Sequence, residues 1–271
     1  MRISVSPPGV VARAQRVPNW LRYLAIAIGL LVIWQLYVTF SGVDSLVFAS
    51  PLATLQTLIA DVKDGQLPTA TVASLQNLVI GMALGIIGGL ILASISTFSR
   101  FGRDILTVFT ALLSPLPGIA ILPLTMIWFG LSPAAIIFVV VHSALWPIAG
   151  NTDTGFRTIG STTRMVALNL GLSRWRTITD VYLPAAMPHL LSGLRLAWAF
   201  GWRTVVGAEV VFGVAGSAGG LGWYIDNARY FLNPPAIFAG LVVISLLGML
   251  LDAFFLWVER KTVVKWGMKQ S

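Results

Sequence analysis

The chain has 271 residues, 56% of them apolar and only 10% charged, with a formal net charge of +8 and no cysteine. A soluble domain carries roughly a quarter charged residues and needs a polar coat that this composition cannot supply. The chain is therefore read as a polytopic membrane protein, with its surplus positive charge on cytoplasmic loops rather than on nucleic acid. Without cysteine, a disulfide framework and a thiolate metal site are excluded.

The first segment, residues 1–19, is basic, with Arg2, Arg13 and Arg16, and is read as cytoplasmic. The apolar run after it is too long for a signal-peptide core and lacks a small-residue cleavage site, so it is expected to stay as a first membrane helix. A span needs about 20 apolar residues at roughly 1.5 Å each. Six segments qualify: Trp20–Phe40, Ser74–Ile95, Ile105–Phe129, Ala134–Ile148, His189–Phe212 and Ala236–Val258. They make residues 20–258 a six-helix all-α transmembrane domain, followed by a basic cytoplasmic tail at 259–271.

With the N-terminus inside and the spans alternating, the inner segments hold Arg2, Arg13, Arg16, Arg22, Arg100, Arg103, Arg157, Arg164, Arg174, Arg176, Arg260, Lys261, Lys265 and Lys269. The outer segments hold Lys63 and Arg229. Fourteen cations against two predict both ends in the cytoplasm of an inner-membrane protein. Two outer loops are long enough to fold back on the membrane. Residues 43–71 contain Ser50-Pro51, a helix-start signal, and then helical apolar spacing over Leu52–Val62. Residues 214–235 are rich in glycine and end in Asn233-Pro234-Pro235, a helix stop.

Within the spans, Gly81, Gly85 and Gly89 fall four apart, as do Gly193, Ala197 and Gly201. Each set makes a groove where another backbone can approach, and ordinary bundle packing is the simpler reading of both. Pro115, Pro117 and Pro123 interrupt the third span, since proline removes a donor and kinks a helix. Kinked helices line pathways in transporters, and prolines are also common in membrane helices generally.

The longest inner segment is the loop at residues 151–188. A short amphipathic helix is predicted over Arg164–Leu170 and is broken by Gly171. A second starts at Ser173, an N-cap candidate, and Leu183-Pro184 ends it and launches the fifth span. The product is a compact, basic, partly apolar knob suited to a groove on a cytosolic partner. A solvated linker would gain nothing by exposing Val166, Leu170, Trp175 and Ile178.

This loop resembles the Glu-Ala-Ala coupling loop of binding-protein-dependent ABC importer permeases. Ala167, Gly171, Val181, Leu183 and Pro184 stand in register with that motif. Met165 and Val166 stand where Glu and Ala are usual, so the acidic residue is absent. The resemblance covers nearly the whole chain. Leu113-Ser114-Pro115-Leu116-Pro117, Leu122-Pro123-Leu124 and Ile127-Trp128-Phe129-Gly130 are similar to the nitrate, sulfonate and taurine branch. So are Gly193-Leu194-Arg195, Gly201-Trp202, Ala208-Glu209 and Gly220-Leu221-Gly222.

The resemblance implies the type I importer permease fold, with a coupling helix between the fourth and fifth spans. It implies a pathway formed by two copies of the permease, a homodimer in the lipid bilayer. It further implies two cytosolic ATPase subunits that bind ATP and Mg, and a periplasmic or lipid-anchored solute-binding protein. The docking candidates it marks are Ala167, Gly171, Leu172, Ser173, Arg174, Trp175, Leu183 and Pro184. The chain has no Gly-x-x-x-x-Gly-Lys-Ser/Thr phosphate loop, so no cofactor of its own and no ATPase activity are expected.

Ionisable residues inside a membrane are costly and each is a site candidate. Arg195 lies about 8 Å into the fifth span and can snorkel to the inner surface. Arg203 lies about 20 Å along it, too deep for that, and is read either as a solute contact for an anion or as half of a buried ion pair. Glu209 is six residues on, about 120° around the helix, so pairing within the helix is not expected. His142 in the fourth span is a further pathway candidate or an interhelical hydrogen-bonder. Asp252 is read as structural, with Arg195 or a loop cation as its partner. Trp198 and Trp202 share a face and either pack on lipid or line the pathway.

Two other classes compete. A stand-alone secondary transporter or channel for a small anion is compatible with six spans and an intramembrane arginine. It would show an inverted repeat, which is not evident, and has no use for a docking knob. An intramembrane enzyme would need a nucleophile and a base within reach. Ser143 adjoins His142, but helix neighbours point about 100° apart. The implied solute is a small anion, such as a sulfonate, taurine, nitrate or an aromatic carboxylate.

Overall fold

The computed structural model describes residues 18–212, 219–259 and 261–262. Most of the 1–19 segment and of the 259–271 tail lies outside the described residues. The described residues are helical nearly throughout, in the order α1 (Asn19–Phe40), α2 (Pro51–Lys63), α3 (Gln66–Phe98), α4 (Arg100–Leu113), α5 (Leu122–Phe129), α6 (Pro133–Arg157), α7 (Ser161–Asn169), α8 (Arg174–Arg176), α9 (Leu183–Ala185), α10 (Met187–Phe212), α11 (Leu221–Tyr230) and α12 (Pro234–Glu259).

The core is a sandwich of three helices, α6 lying between α3 and α10. The glycine stripe makes this possible. A Cβ at Gly85 would stand 2.7 Å from the Ala144 Cβ and 3.1 Å from the Val141 carbonyl, and Gly89 meets Ile148 in the same way. Where lipid competes on equal terms for apolar surface, such close backbone approach supplies the packing energy. Gly193 and Gly201 do the same for α10, against Asn151 on α6 and against Leu78 and Met82 on α3. Leu78, Val139, Val140 and Val205 are fully buried at the centre. Truncating Leu78 to alanine is expected to cost about 2–5 kcal/mol. By contrast, α1 is exposed along almost its whole length. It is tied down through Trp34, whose ring lies 5.2 Å from Phe238 and whose Nε1–H donates to the Ala49 carbonyl at 3.0 Å.

Several expected boundaries move. The second span is longer than Ser74–Ile95, because Pro68 falls in the first turn of α3, where it is tolerated, and no proline follows it before Ser99. Its 33 residues extend about 50 Å. The fourth does not stop at Ile148: α6 continues through Pro147 to Arg157, and the Asn151 amide donates to the Pro147 carbonyl at 2.8 Å. The larger correction concerns the third span, expected as one helix over Ile105–Phe129. It breaks after Leu113, and the two halves meet at 89°. Pro115 and Pro117 withhold two donors at the break, and a 3-10 turn at Gly118–Ile121 restarts the chain. Pro123 does not kink anything. It sits in the first turn of α5, where a missing N–H costs nothing.

Among the described residues four helices, α1, α3, α6 and α12, are long and apolar enough to cross a membrane by composition, and the bent pair α4–α5 makes a fifth if taken as one span. The remaining expected span, α10, has the length, 26 residues, but carries Arg195, Arg203 and Glu209. Burial against α3 and α6, rather than its own hydropathy, accounts for its place.

Both fold-back loops form helices. Ser50 caps α2, its Oγ accepting from the Ala53 N–H at 3.1 Å. The glycine-rich loop contains α11, packed on α10 and α12. Asn233-Pro234-Pro235 acts as a start rather than only a stop: Asn233 Oδ1 accepts from the Ala236 N–H at 3.3 Å, and α12 begins at Pro234. Tyr224 of α11 donates its hydroxyl to Asp61 of α2. Burial pushes the Tyr224 phenol well above its ordinary range, and the Asp61 carboxylate adds to that.

Candidate solute pathway and docking knob

The break between α4 and α5 faces a cavity of about 310 Å³. Three elements build it. The broken segment contributes residues 114–119, α6 contributes His142, Ser143, Trp146 and Pro147, and α10 contributes Phe200, Arg203 and Thr204. On α6 and α10 these positions repeat at three and four residues, so each helix presents one face to the cavity. Gly118 is required for the closure. A Cβ there would collide with Ser143 Oγ and with the Thr204 side chain. Those two hydroxyls bond each other at 2.9 Å, and Ser143 Oγ also reaches the Val139 carbonyl at 2.9 Å.

Arg203 is exposed on the protomer and has no ion-pair partner among the described residues. His142 lies edge-on to Trp146 at 6.1 Å. Its imidazole lies against the Leu113 backbone, and the Trp146 Nε1 is buried without a hydrogen-bond partner among the described residues. Arg203 and Trp146 thus bring donors to the cavity that have no acceptor among the described residues. Trp146, Phe200 and Thr204 were not among the sequence candidates, although Trp146 follows His142 by one turn, and Phe200 and Thr204 flank Arg203 at one-turn and adjacent spacing.

The other pathway candidates point elsewhere. Trp202 is buried in the helix sandwich, facing Gly248 of α12. Trp198 packs at 5.7 Å on Phe255 of α12. Glu209 is 2% exposed and ties three elements together: Ser74 Oγ of α3 donates to it at 2.6 Å and the Gly222 N–H of α11 at 3.1 Å. Ser74 Oγ in turn accepts from the Leu221 N–H at 2.8 Å. Nearer the other end of α10, Arg195 pairs with Asp252 of α12 at 3.3 Å.

The 151–188 loop folds as a two-faced knob. Its inner face is a second core, in which Ile178, Tyr182 and Ala186 meet Ala93 of α3 and Phe156 of α6. Tyr182 stacks on Phe98 at 6.2 Å, with the rings 9° from parallel. Its outer face carries Met165, Val166, Leu170 and Trp175, all more than half exposed, with Arg174 and Arg176 beside them. Ala167 is buried. Gly171 terminates α7 with φ of +63°, a left-handed conformation that suits glycine, and the Leu172 N–H closes the turn on the Ala167 carbonyl at 3.3 Å. Ser173 caps α8, its Oγ accepting from the Arg176 N–H at 3.3 Å. Leu183 is half-buried on the second core, and Pro184 is exposed. Of the four apolar residues expected on the docking face, Ile178 alone turns inward.

The chain is similar to the putative aliphatic sulfonates transport permease of Bacillus subtilis, 30% identical over 248 residues that cover 92% of this chain and 88% of the relative. It is also similar to the taurine transport system permease of Escherichia coli, 28% identical over 249 residues, 89% of each. Among solved structures, the methionine ABC transporter MetNI in inward-facing conformations matches with a TM-score of 0.54 and 20% identity, over 72% of this chain and 94% of the other. That likeness is one of fold, the type I importer permease fold. The family profile of the binding-protein-dependent transport system inner membrane component matches residues 85–264. The glycine-packed sandwich, the broken helix and the knob all fall within or beside that stretch, and the chain belongs to this family of multi-pass inner-membrane transport components.

Proposed function

We propose that two copies of this chain form the membrane pathway of an ATP-driven importer for a small anion, such as a sulfonate or an aromatic carboxylate. Arg203 serves as the attracting charge. The observation that carries this reading is an arginine without a carboxylate partner among the described residues, lining a cavity at the break of a helix. A buried or membrane-embedded guanidinium without a counter-ion is costly, and an anion in transit is the partner that relieves it.

The knob is the docking element for the ATPase subunits, which bind ATP and Mg. Its anchored inner face transmits their movement to α3 and α6, and its exposed apolar outer face suits a groove. A periplasmic or lipid-anchored binding protein delivers the solute on the opposite side. Both termini lie in the cytoplasm, which puts the basic loops inside.

The test is ATP-dependent uptake by the reconstituted complex. Arg203→Ala should lower it at least tenfold, and Arg203→Lys, which keeps charge but not the planar fork, should restore part of it. Native rates in both variants, with normal assembly, would show that Arg203 is not on the pathway.

A further inference from the structure

We infer that the Arg203 cavity takes an aromatic monoanion, a ring-bearing carboxylate or sulfonate without an amino group, in preference to a compact inorganic anion or a zwitterion. This rests on reading the cavity as the solute pathway and adds a selectivity to it.

Its first support is the direction of the unmade hydrogen bonds. Trp146 is 8% exposed and lines the cavity, and its Nε1–H has no acceptor among the described residues. An indole can only donate. With the Arg203 guanidinium, the cavity offers donors from α6 and α10 to one group of acceptor oxygens.

The second support is the absence of a matching negative charge. No carboxylate lines the cavity. In the long helices α10 and α12, Glu209 is held by Ser74 and Gly222 and Asp252 by Arg195. An ammonium group on the solute would therefore be stripped of water with no counter-charge.

The third is the wall. Pro115, Leu116, Ile119 and Phe200 complete the lining with the Trp146 ring. A small hydrated anion would exchange water for hydrocarbon there. An aromatic body buries apolar area and meets ring edges and faces. The cavity volume, about 310 Å³, falls at the lower end of small-ligand sites, roughly 300–1,000 Å³.

The experiment is binding of radiolabelled benzoate to the full-length chain in phosphatidylcholine nanodiscs, with unlabelled benzenesulfonate, nitrate and taurine as competitors. Benzenesulfonate should displace benzoate at concentrations similar to benzoate itself, while nitrate and taurine should need at least tenfold more. Arg203→Gln should weaken benzoate binding at least tenfold. Trp146→Phe, which keeps a ring and removes the donor, should weaken it about fivefold. If nitrate or taurine competes as well as benzenesulfonate while Arg203→Gln still abolishes binding, the aromatic selectivity is overturned and the anion pathway stands; Trp146→Phe binding as the native chain does overturns the indole as a donor to the anion. Benzoate binding that is unchanged by Arg203→Gln, or no saturable binding at all, overturns both.

Discussion

Three residues show how much side-chain chemistry depends on which way a helix is turned. Arg203, Glu209 and Trp202 all lie on α10 within ten residues, and each is a pathway candidate on sequence, Arg203 by depth, Glu209 by charge and Trp202 by the face it shares with Trp198. Only Arg203 reaches the cavity. Glu209 points into the junction of α3 and α11, where Ser74 and the Gly222 N–H both donate to its Oε2. Trp202 fills the sandwich. The smallest residue at the site is the most constrained: Gly118 passes so close to Ser143 and Thr204 that no side chain fits. Gly118→Ala should force the broken segment outward and cost about 1–3 kcal/mol by overpacking. This would be read as a lowered thermal midpoint of the purified protein together with reduced uptake. An unchanged midpoint would mean that the segment has slack.

At the scale of elements, the α4–α5 break and the knob are the two parts that do not behave as simple spans or linkers. The proline positions around the break were legible in the sequence, but their consequences were not uniform. Pro115 and Pro117 fall where donors are needed, whereas Pro123 falls in a first turn. The knob's helical punctuation was also legible, because Gly171 and Ser173 act locally. The division of its apolar residues between inner and outer faces was not legible, since it depends on Phe98, Phe156 and Ala93 arriving from α3 and α6. Trp175 is the sharpest test of the docking role. It is 72% exposed and supports no core, so Trp175→Ala should change stability by less than about 0.5 kcal/mol. If it is an interface anchor, the same variant should lose about tenfold or more in retention of the ATPase on copurification. Full retention would assign docking to other residues of the knob.

For the whole molecule, the orientation rests on an asymmetry of cations between alternate loops, and it is open to a direct check because the chain has no cysteine. A single Asp64→Cys in the loop after α2 should react with a membrane-impermeant maleimide in intact cells. A single Ser161→Cys at the start of the knob should react only after permeabilisation. The reverse pattern would invert the topology. Both positions are exposed in the protomer, so accessibility follows the side of the membrane rather than burial.

What the sequence determined by itself follows from run length, composition and short-range stereochemistry. These give apolar segments long enough to span, a stripe of glycines at a spacing of four, caps at Ser50 and Ser173, and a cation-rich loop with a glycine stop. None of these needs a neighbour to be recognised. Only the tertiary structure decided that the third span bends by 89°, that α10 is held by α3 and α6 despite its charges, and that Trp146 and Phe200 join Arg203 at one cavity. Such outcomes depend on distances between segments far apart in the chain. The rotation of each helix about its axis is set by how glycine grooves and side-chain ridges interlock.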